Sequence, residues 1–134
     1  MDLAGKKVLV AGTGKSGIGC IKLLTEENAC ITVFDNGNSV DEAVIIKRLQ
    51  DAGIDPEGKE INAGDISRIG KMDLAVLSPG IDPESKLAAD LKDKGIPVIG
   101  EIELAFRQGK GTVTAITGTN GKTTTTALTG EILS

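Results

Sequence analysis

Lys7-Val8-Leu9-Val10-Ala11-Gly12-Thr13-Gly14-Lys15-Ser16-Gly17 decides how the chain is read. A short, continuous apolar run from Lys7 to Ala11 suits a strand buried on both faces of a parallel sheet. The three glycines that follow are spaced G-x-G-x-x-G, and beyond them Ile18, Ile21 and Leu24 recur at helical spacing. Strand, glycine loop and helix thus come in the order of a Rossmann unit, in which backbone N–H groups and the start of a helix meet a phosphate. A second strand is expected over residues 29–34, closed by Asp35 at the distance where such folds place an acid against a ribose.

Working outward, residues 41–52 read as a helix, with Asp41 as its cap, Ile45, Leu49 and Ala52 on one face, and Gly53 past its end. A short strand is expected over Glu60–Asn62 and one helical turn over residues 65–70. Leu74–Leu77 is an apolar strand stopped by Ser78-Pro79-Gly80, which places a hydroxyl and a glycine at the carboxyl end of a strand, where open α/β sheets bind ligands. Asp82 and Pro83 are then expected to cap and start a helix running through Leu87, Ala88 and Leu91 to Lys94, with Gly95 beyond it. Residues 97–99 supply a further strand and Glu101–Gln108 a further helix. Alternating strands and helices over residues 7–100 predict an α/β, Rossmann-like, doubly wound parallel sheet of about five strands.

Composition narrows the classes. With 134 residues, 40% of them hydrophobic, the chain has length for one ordinary domain and too little for two. Phe34 and Phe106 are the only aromatics, so the core must be aliphatic and base-stacking platforms are lacking. A net charge of −4 offers no basic stripe, and a nucleic-acid partner is not expected. There is no histidine, which removes imidazole catalysis and His-ligated metal sites. Cys20 and Cys30 match no zinc or redox spacing and read as buried small apolar residues in a reducing cytoplasm. No run approaches a membrane span and no apolar signal core opens the chain, so a cytoplasmic protein without a membrane partner is expected.

A second phosphate loop lies near the C-terminus, at Thr117-Gly118-Thr119-Asn120-Gly121-Lys122-Thr123-Thr124. A β-branched run over residues 112–116 leads into it, and a helix to Leu133 is expected to follow. Lys122 would reach terminal phosphates and the Thr123 hydroxyl would sit on Mg²⁺. The full motif wants a glycine five positions before Gly121, where this chain has Ile116, so only the shortened form G-x-x-G-K-T is present. A domain boundary is expected between Gly100 and Gly111: residues 1–100 form the Rossmann-like block and residues 101–134 begin an incomplete P-loop ATPase domain.

Each motif has a plainer alternative. Gly12, Gly14 and Gly17 could serve only tight strand–helix packing, Ser78-Pro79-Gly80 an ordinary turn, and Asp35 a turn cap. Dinucleotides and nucleotide-sugars both offer a diphosphate and a ribose, and residues 12–35 do not separate them. An NAD-binding oxidoreductase domain and a stand-alone nucleotide-binding regulator therefore remain open on the residues alone.

Taken together, the two loops in tandem resemble the Mur ligases of peptidoglycan synthesis over essentially the whole chain. Residues 117–124 are similar to that family's ATP loop. Ser78-Pro79-Gly80-Ile81, Gly100-Glu101-Ile102-Glu103-Leu104 and Asn120 look like its D-glutamate-adding branch. The resemblance implies an ATP-dependent amide-forming ligase that activates the carboxylate of UDP-MurNAc-L-Ala as an acyl phosphate, which the amine of D-glutamate attacks. It implies that Gly14, Lys15, Ser16 and Gly17 bind the UDP diphosphate and uracil, that Asp35 and Asn36 read the uridine, and that Ser78, with Pro79 and Gly80, lies near the muramoyl sugar. It likewise implies that Gly118, Thr119, Asn120, Gly121, Lys122, Thr123 and Thr124 hold ATP, with Lys122 catalytic and Thr123 on Mg²⁺. Where relatives often carry a longer or basic side chain after the Asp35-Asn36 pair, this chain has Gly37. The expectation is an N-terminal portion of such a ligase, inactive by itself.

Overall fold

The computed structural model describes residues 1–109. Five strands, β1 (Lys7–Ala11), β2 (Cys30–Phe34), β3 (Glu60–Asn62), β4 (Leu74–Leu77) and β5 (Val98–Gly100), form one sheet in the order β3-β2-β1-β4-β5. Every pairing is parallel. Helices α1 (Lys15–Glu26), α2 (Glu42–Asp51), α3 (Lys86–Asp93) and α4 (Glu101–Gln108) alternate with the strands, and a 3₁₀ turn covers Ile66–Arg68. The doubly wound parallel sheet is therefore as the apolar runs and glycine punctuation predict.

Side chains on both faces of β1 are buried, because each face carries its own core. Val8 and Val10 point into a cluster with Ile21, Leu24, Val33, Ile45, Leu49, Val76 and Leu104. The alternate residues Leu9 and Ala11 join Phe34, Ala75, Leu77, Leu87 and Leu91 on the opposite side. A period of two along each strand thus feeds two layers, α1, α2 and α4 on one and α3 on the other. Helix ends follow local signals. The Asp41 carboxylate accepts from the Val44 N–H at 2.8 Å and starts α2. Closing hydrogen bonds run from Ala29 N–H to Leu24 O, Ile54 N–H to Leu49 O and Ile96 N–H to Leu91 O, one just past each of α1, α2 and α3.

Two local readings are corrected. Helix α3 starts at Lys86, capped by the Ser85 hydroxyl, which accepts from the Ala88 N–H at 3.3 Å. Asp82 and Pro83 instead open a tight turn, in which the Ser85 N–H donates to the Asp82 carbonyl at 2.9 Å and the Glu84 N–H to its side chain at 2.8 Å. The same Asp-Pro pair suits the first two positions of a β-turn as well as a helix start, and a second cap three residues later took the helix. Cys30, read as buried, is exposed, because it begins β2 at the open amino-terminal edge of the sheet. Cys20 is buried on α1, where burial and the nearby Glu101 charge push its thiol up to about 11.

Helix α4 belongs with this core. Leu104 is fully buried and packs with the α1 face of the sheet. At the helix's far end the Gln108 side chain donates to the Met1 carbonyl at 3.0 Å. The strand expected over residues 112–116, the loop at 117–124 and the helix to residue 133 lie outside the described residues.

Two outcomes are expected. Leu104→Ala should lower unfolding free energy in urea by about 2–5 kcal/mol, since it leaves a cavity beside β4 and α1; a loss under about 1 kcal/mol would mean that α4 does not share the core. Alkylation of the native protein, read by mass, should modify Cys30 alone, with Cys20 reacting only in denaturant.

Candidate functional site

Register builds the site. Ala11 pairs with both Phe34 and Leu77, and Leu77 pairs with Gly100, so four strands stop on one line across the sheet. The residues that follow, Gly12, Asp35, Ser78 and Glu101, therefore stand in a row along the carboxyl edge. The ladder extends one bond further, Gly12 N–H to Phe34 O at 2.8 Å and Ser78 N–H to Ala11 O at 3.0 Å, which fixes the bases of the loops. Strand order reverses between β2-β1 and β4-β5, and the row straddles that switch point, where doubly wound folds open a crevice.

The glycines of the first loop divide by purpose. Gly12 has a φ of +102°, and a Cβ there would stand 2.7 Å from that of Ser78. A Cβ on Gly17 would lie 1.9 Å from the Gly12 carbonyl oxygen, so α1 can lie against the strand end only if residue 17 has no side chain. Gly14 differs. Nothing lies within 4 Å of where its Cβ would be, and its φ of −72° is open to any residue. It is exposed at the N-cap of α1, a position with no side-chain cap, and the first turn of that helix carries no acid. The leading N–H groups of α1 thus carry the positive end of the helix dipole at a start whose residues Gly14, Lys15 and Ser16 are exposed.

Asp35 holds the loop in shape. Its Oδ2 accepts from the Thr13 N–H at 2.9 Å and the Thr13 hydroxyl at 2.5 Å, and its Oδ1 accepts from the Gly37 N–H at 2.8 Å. Arg48, on α2, donates to the Thr13 hydroxyl at 2.7 Å and lies 3.4 Å from Asp35 Oδ2. Burial pushes the Asp35 carboxyl up. Hydrogen bonds from the Thr13 hydroxyl and from the Gly37 and Thr13 N–H groups, with the Arg48 charge, outweigh that and hold it below its ordinary value. Gly37 lets this turn close: a Cβ there would be 3.0 Å from Asp35 Oδ1 and 3.2 Å from Val40. Asn36 sits exposed at its crest.

At the other end of the row, Ser78 and Pro79 line a cleft of about 280 Å³ with Ile81, Ile99 and Gly100. Glu101, the first residue of α4, is only 8% exposed, and its Oε1 has no hydrogen-bond partner among the described residues. Burial pushes its carboxyl up, against the opposing effect of the nearby Ser16 and Ser78 hydroxyls, neither of which bonds Oε1. A larger cleft, about 350 Å³, lies at the amino-terminal edge by Lys7, Cys30, Glu60 and Arg68, away from these loops and from any helix start. Among the described residues no group of three or more acids or cysteines is placed to hold a metal ion.

The expected residues Gly14, Lys15, Ser16, Gly17, Asp35, Asn36, Ser78, Pro79 and Gly80 thus fall along one edge, while Gly118 to Thr124 lie outside the described residues. Thr13 and Arg48 were missed as site residues. Their contact spans 35 positions, and nothing in the local pattern of α2 marks Arg48 for it.

A parallel sheet wound on both faces, with a glycine loop and an uncapped helix start at its switch point, defines a Rossmann-like α/β domain. Solved structures share that fold. Crystalline MtNAS in complex with MTA and tNA aligns at a TM-score of 0.54 and 15% identity, covering 69% of this chain and 35% of that one. An uncharacterized protein from Listeria monocytogenes serotype 4b aligns at 0.53 and 12%, covering 87% and 57%. A model of the family described as Mur ligase MurD-like, N-terminal domain, matches residues 6–100, and the chain belongs to that family. Its relatives include UDP-N-acetylmuramoylalanine--D-glutamate ligases of Lachnoclostridium phytofermentans, 46% identical over 99% of this chain, and of Alkaliphilus metalliredigens, 43% identical over 98%. The chain spans 29% of the length of each.

The depressed Asp35 value sets a pH dependence. Ionised Asp35 is favoured by folding, so its contribution is whole above the unfolded value of about 3.9 and is lost as pH falls through the lower native one. Asp35→Asn should cost roughly 1–3 kcal/mol at pH 7. In urea titrations the gap from wild type should hold down to about pH 4 and shrink below it; a gap that widens in acid would contradict the sign.

Proposed function

We propose that this chain is the nucleotide-sugar-binding, N-terminal portion of a UDP-N-acetylmuramoyl-L-alanine:D-glutamate ligase, and that it binds UDP-MurNAc-L-Ala along the carboxyl edge of its sheet. The observation that carries this is Gly14. Gly12 and Gly17 are accounted for by contacts inside the fold, whereas Gly14 meets nothing. A bare backbone in open space at the uncapped start of α1 is what close approach by a diphosphate requires. Family membership supports a sugar nucleotide as the ligand class.

In this reading the N–H groups of Gly14, Lys15, Ser16 and Gly17 hold the diphosphate, with the Lys15 ammonium adding charge. Asn36 and Asp35 meet the uridine, Asp35 acting largely through Thr13 and Gly37, to which its oxygens are already bonded. Ser78, Pro79 and Gly80 border the muramoyl sugar. The complete ligase uses ATP and Mg²⁺ to phosphorylate the alanyl carboxylate; the amine of D-glutamate then attacks the acyl carbon and phosphate departs as the amide forms. Gly118 to Thr124 are the residues assigned to ATP, with Lys122 on its phosphates and Thr123 on the metal. A division between sugar-nucleotide and ATP-binding parts between Gly100 and Gly111, and a cytoplasmic location, belong to the same proposal. No helix among the described residues is long and apolar enough to cross a membrane.

Calorimetric titration with UDP-MurNAc-L-Ala, NAD and ATP in turn tests the reading. The sugar nucleotide should bind at least tenfold more tightly than NAD, and preference for NAD would sink the proposal. Gly14→Ala should weaken sugar-nucleotide binding about tenfold or more while costing at most about 1 kcal/mol of stability. Gly17→Ala should cost about 3 kcal/mol or more, since its methyl meets backbone.

A further inference from the structure

The two faces of the sheet are covered unequally. Helices α1, α2 and α4 pack on one, while on the other α3 is joined only by Ile66, Ile69 and Met72 of the connection between β3 and β4. On that second face β2 changes character along its length. Phe34 joins the core, but the alternate residues before it, Thr32 and Cys30, line the cleft of about 350 Å³ at the amino-terminal edge. A strand face serving only to pack would be apolar there. Instead the Thr32 hydroxyl, in a residue only 5% exposed, donates to Glu60 Oε2 at 3.0 Å across the pairing of β2 with β3. The cleft thus has a polar floor fixed by the register of two strands.

Its rim is basic. Lys7, Arg68 and Lys71 line the cleft, all three are exposed, and no salt bridge among the described residues reaches any of them. Glu60 is the one acid of the lining, in a chain with 19 acidic residues to 15 basic, so the positive charge at this mouth runs against the composition. Asp73 lies outside the lining, with Oδ2 on the Lys7 N–H at 2.8 Å. Three cations at one mouth repel one another and gain most from a shared multivalent anion. Glu60 has the opposite need: with one oxygen on Thr32, its carboxylate accepts further hydrogen bonds, and a ligand must bring the donor. The volume, near the lower end of the ~300–1,000 Å³ usual for small-molecule sites, limits the occupant to metabolite size. We propose that this cleft binds a phosphate monoester bearing hydroxyl groups, a sugar phosphate by class, with Lys7, Arg68 and Lys71 sharing the phosphate and Glu60 accepting from a hydroxyl. The length of β1, roughly 16 Å from Lys7 to Gly12 at ~3.3 Å per residue, separates it from the glycine loop. It is therefore a second site, independent of the nucleotide reading.

Cys30, exposed on the floor of the cleft, reports its occupancy. The rate of its alkylation by iodoacetamide, read by mass on the native 134-residue chain, is measured with glucose 6-phosphate, inorganic phosphate and glucose at constant ionic strength. Because only Cys30 is read, a phosphate held at the start of α1 does not enter the result. Glucose 6-phosphate should slow the reaction, with half the effect at a concentration about tenfold or more below that needed for inorganic phosphate, and glucose alone should not slow it. The double variant Arg68→Gln with Lys71→Gln should need about tenfold or more ligand for the same protection. Its thermal melt should match wild type, since both side chains are exposed and without a salt bridge among the described residues. Lys7→Gln, on a different element, should weaken protection in the same direction, which a local change in the 3₁₀ turn would not produce. Absence of protection by glucose 6-phosphate, protection no better than that by inorganic phosphate, or protection unchanged in both variants would overturn the proposal.

Discussion

The parallel register of β2, β1, β4 and β5 is the constraint on which the rest depends. Because Ala11 lies opposite both Phe34 and Leu77, and Leu77 opposite Gly100, the chain leaves the sheet four times at one level. A slip of one residue in any pairing would turn that strand's core side chains to the wrong face and move its loop along the edge. The two-sided core enforces the register: Val8 and Val10 on one face, Leu9 and Ala11 on the other, leave no strand face free to move. Packing and site geometry are therefore one problem with one solution.

On that base the loops are held by short polar ties. Asp35 gathers Thr13 and Gly37, and Arg48 closes the group from α2, so the turn after β1 is braced from the neighbouring strand and helix. The brace comes from β2 and α2, and the start of α1 carries no side-chain cap. The carboxylate opposite, Glu101, has the Ser16 and Ser78 hydroxyls beside it and keeps one oxygen, Oε1, without a partner among the described residues. The two acids of the row thus differ: both Asp35 oxygens are bonded within the fold, whereas Glu101 keeps one that is not. The Mur ligase MurD-like, N-terminal domain model covers residues 6–100, and with them Gly12, Asp35 and Ser78 of the row.

Much of this was legible in the residues. Apolar runs bounded by glycine marked β1 and β4, Asp41 marked the start of α2, and G-x-G-x-x-G followed by Asp35 marked the edge that would matter, because strand burial, capping and tight turns are written in neighbouring positions. Helix α3 was misplaced, since Asp82-Pro83 and Ser85 compete as caps and the winner depends on how the turn after Ser78 meets the sheet. Cys30 was misjudged because exposure at a strand's first residue depends on what lies over that edge.

By itself the sequence determined the order of elements and the two-faced character of the strands, each set by spacing and residue type within about thirty positions, and the family, carried by motifs spread over the chain. Tertiary structure alone decided which glycines are required by packing and which stands open, that Asp35 is bound to Thr13 and Arg48, and that Glu101 is buried with Oε1 unpartnered among the described residues. The reason is physical: a Cβ clash, a desolvated carboxylate and a three-way hydrogen bond are properties of surfaces brought together from distant parts of the chain, and no local pattern records them.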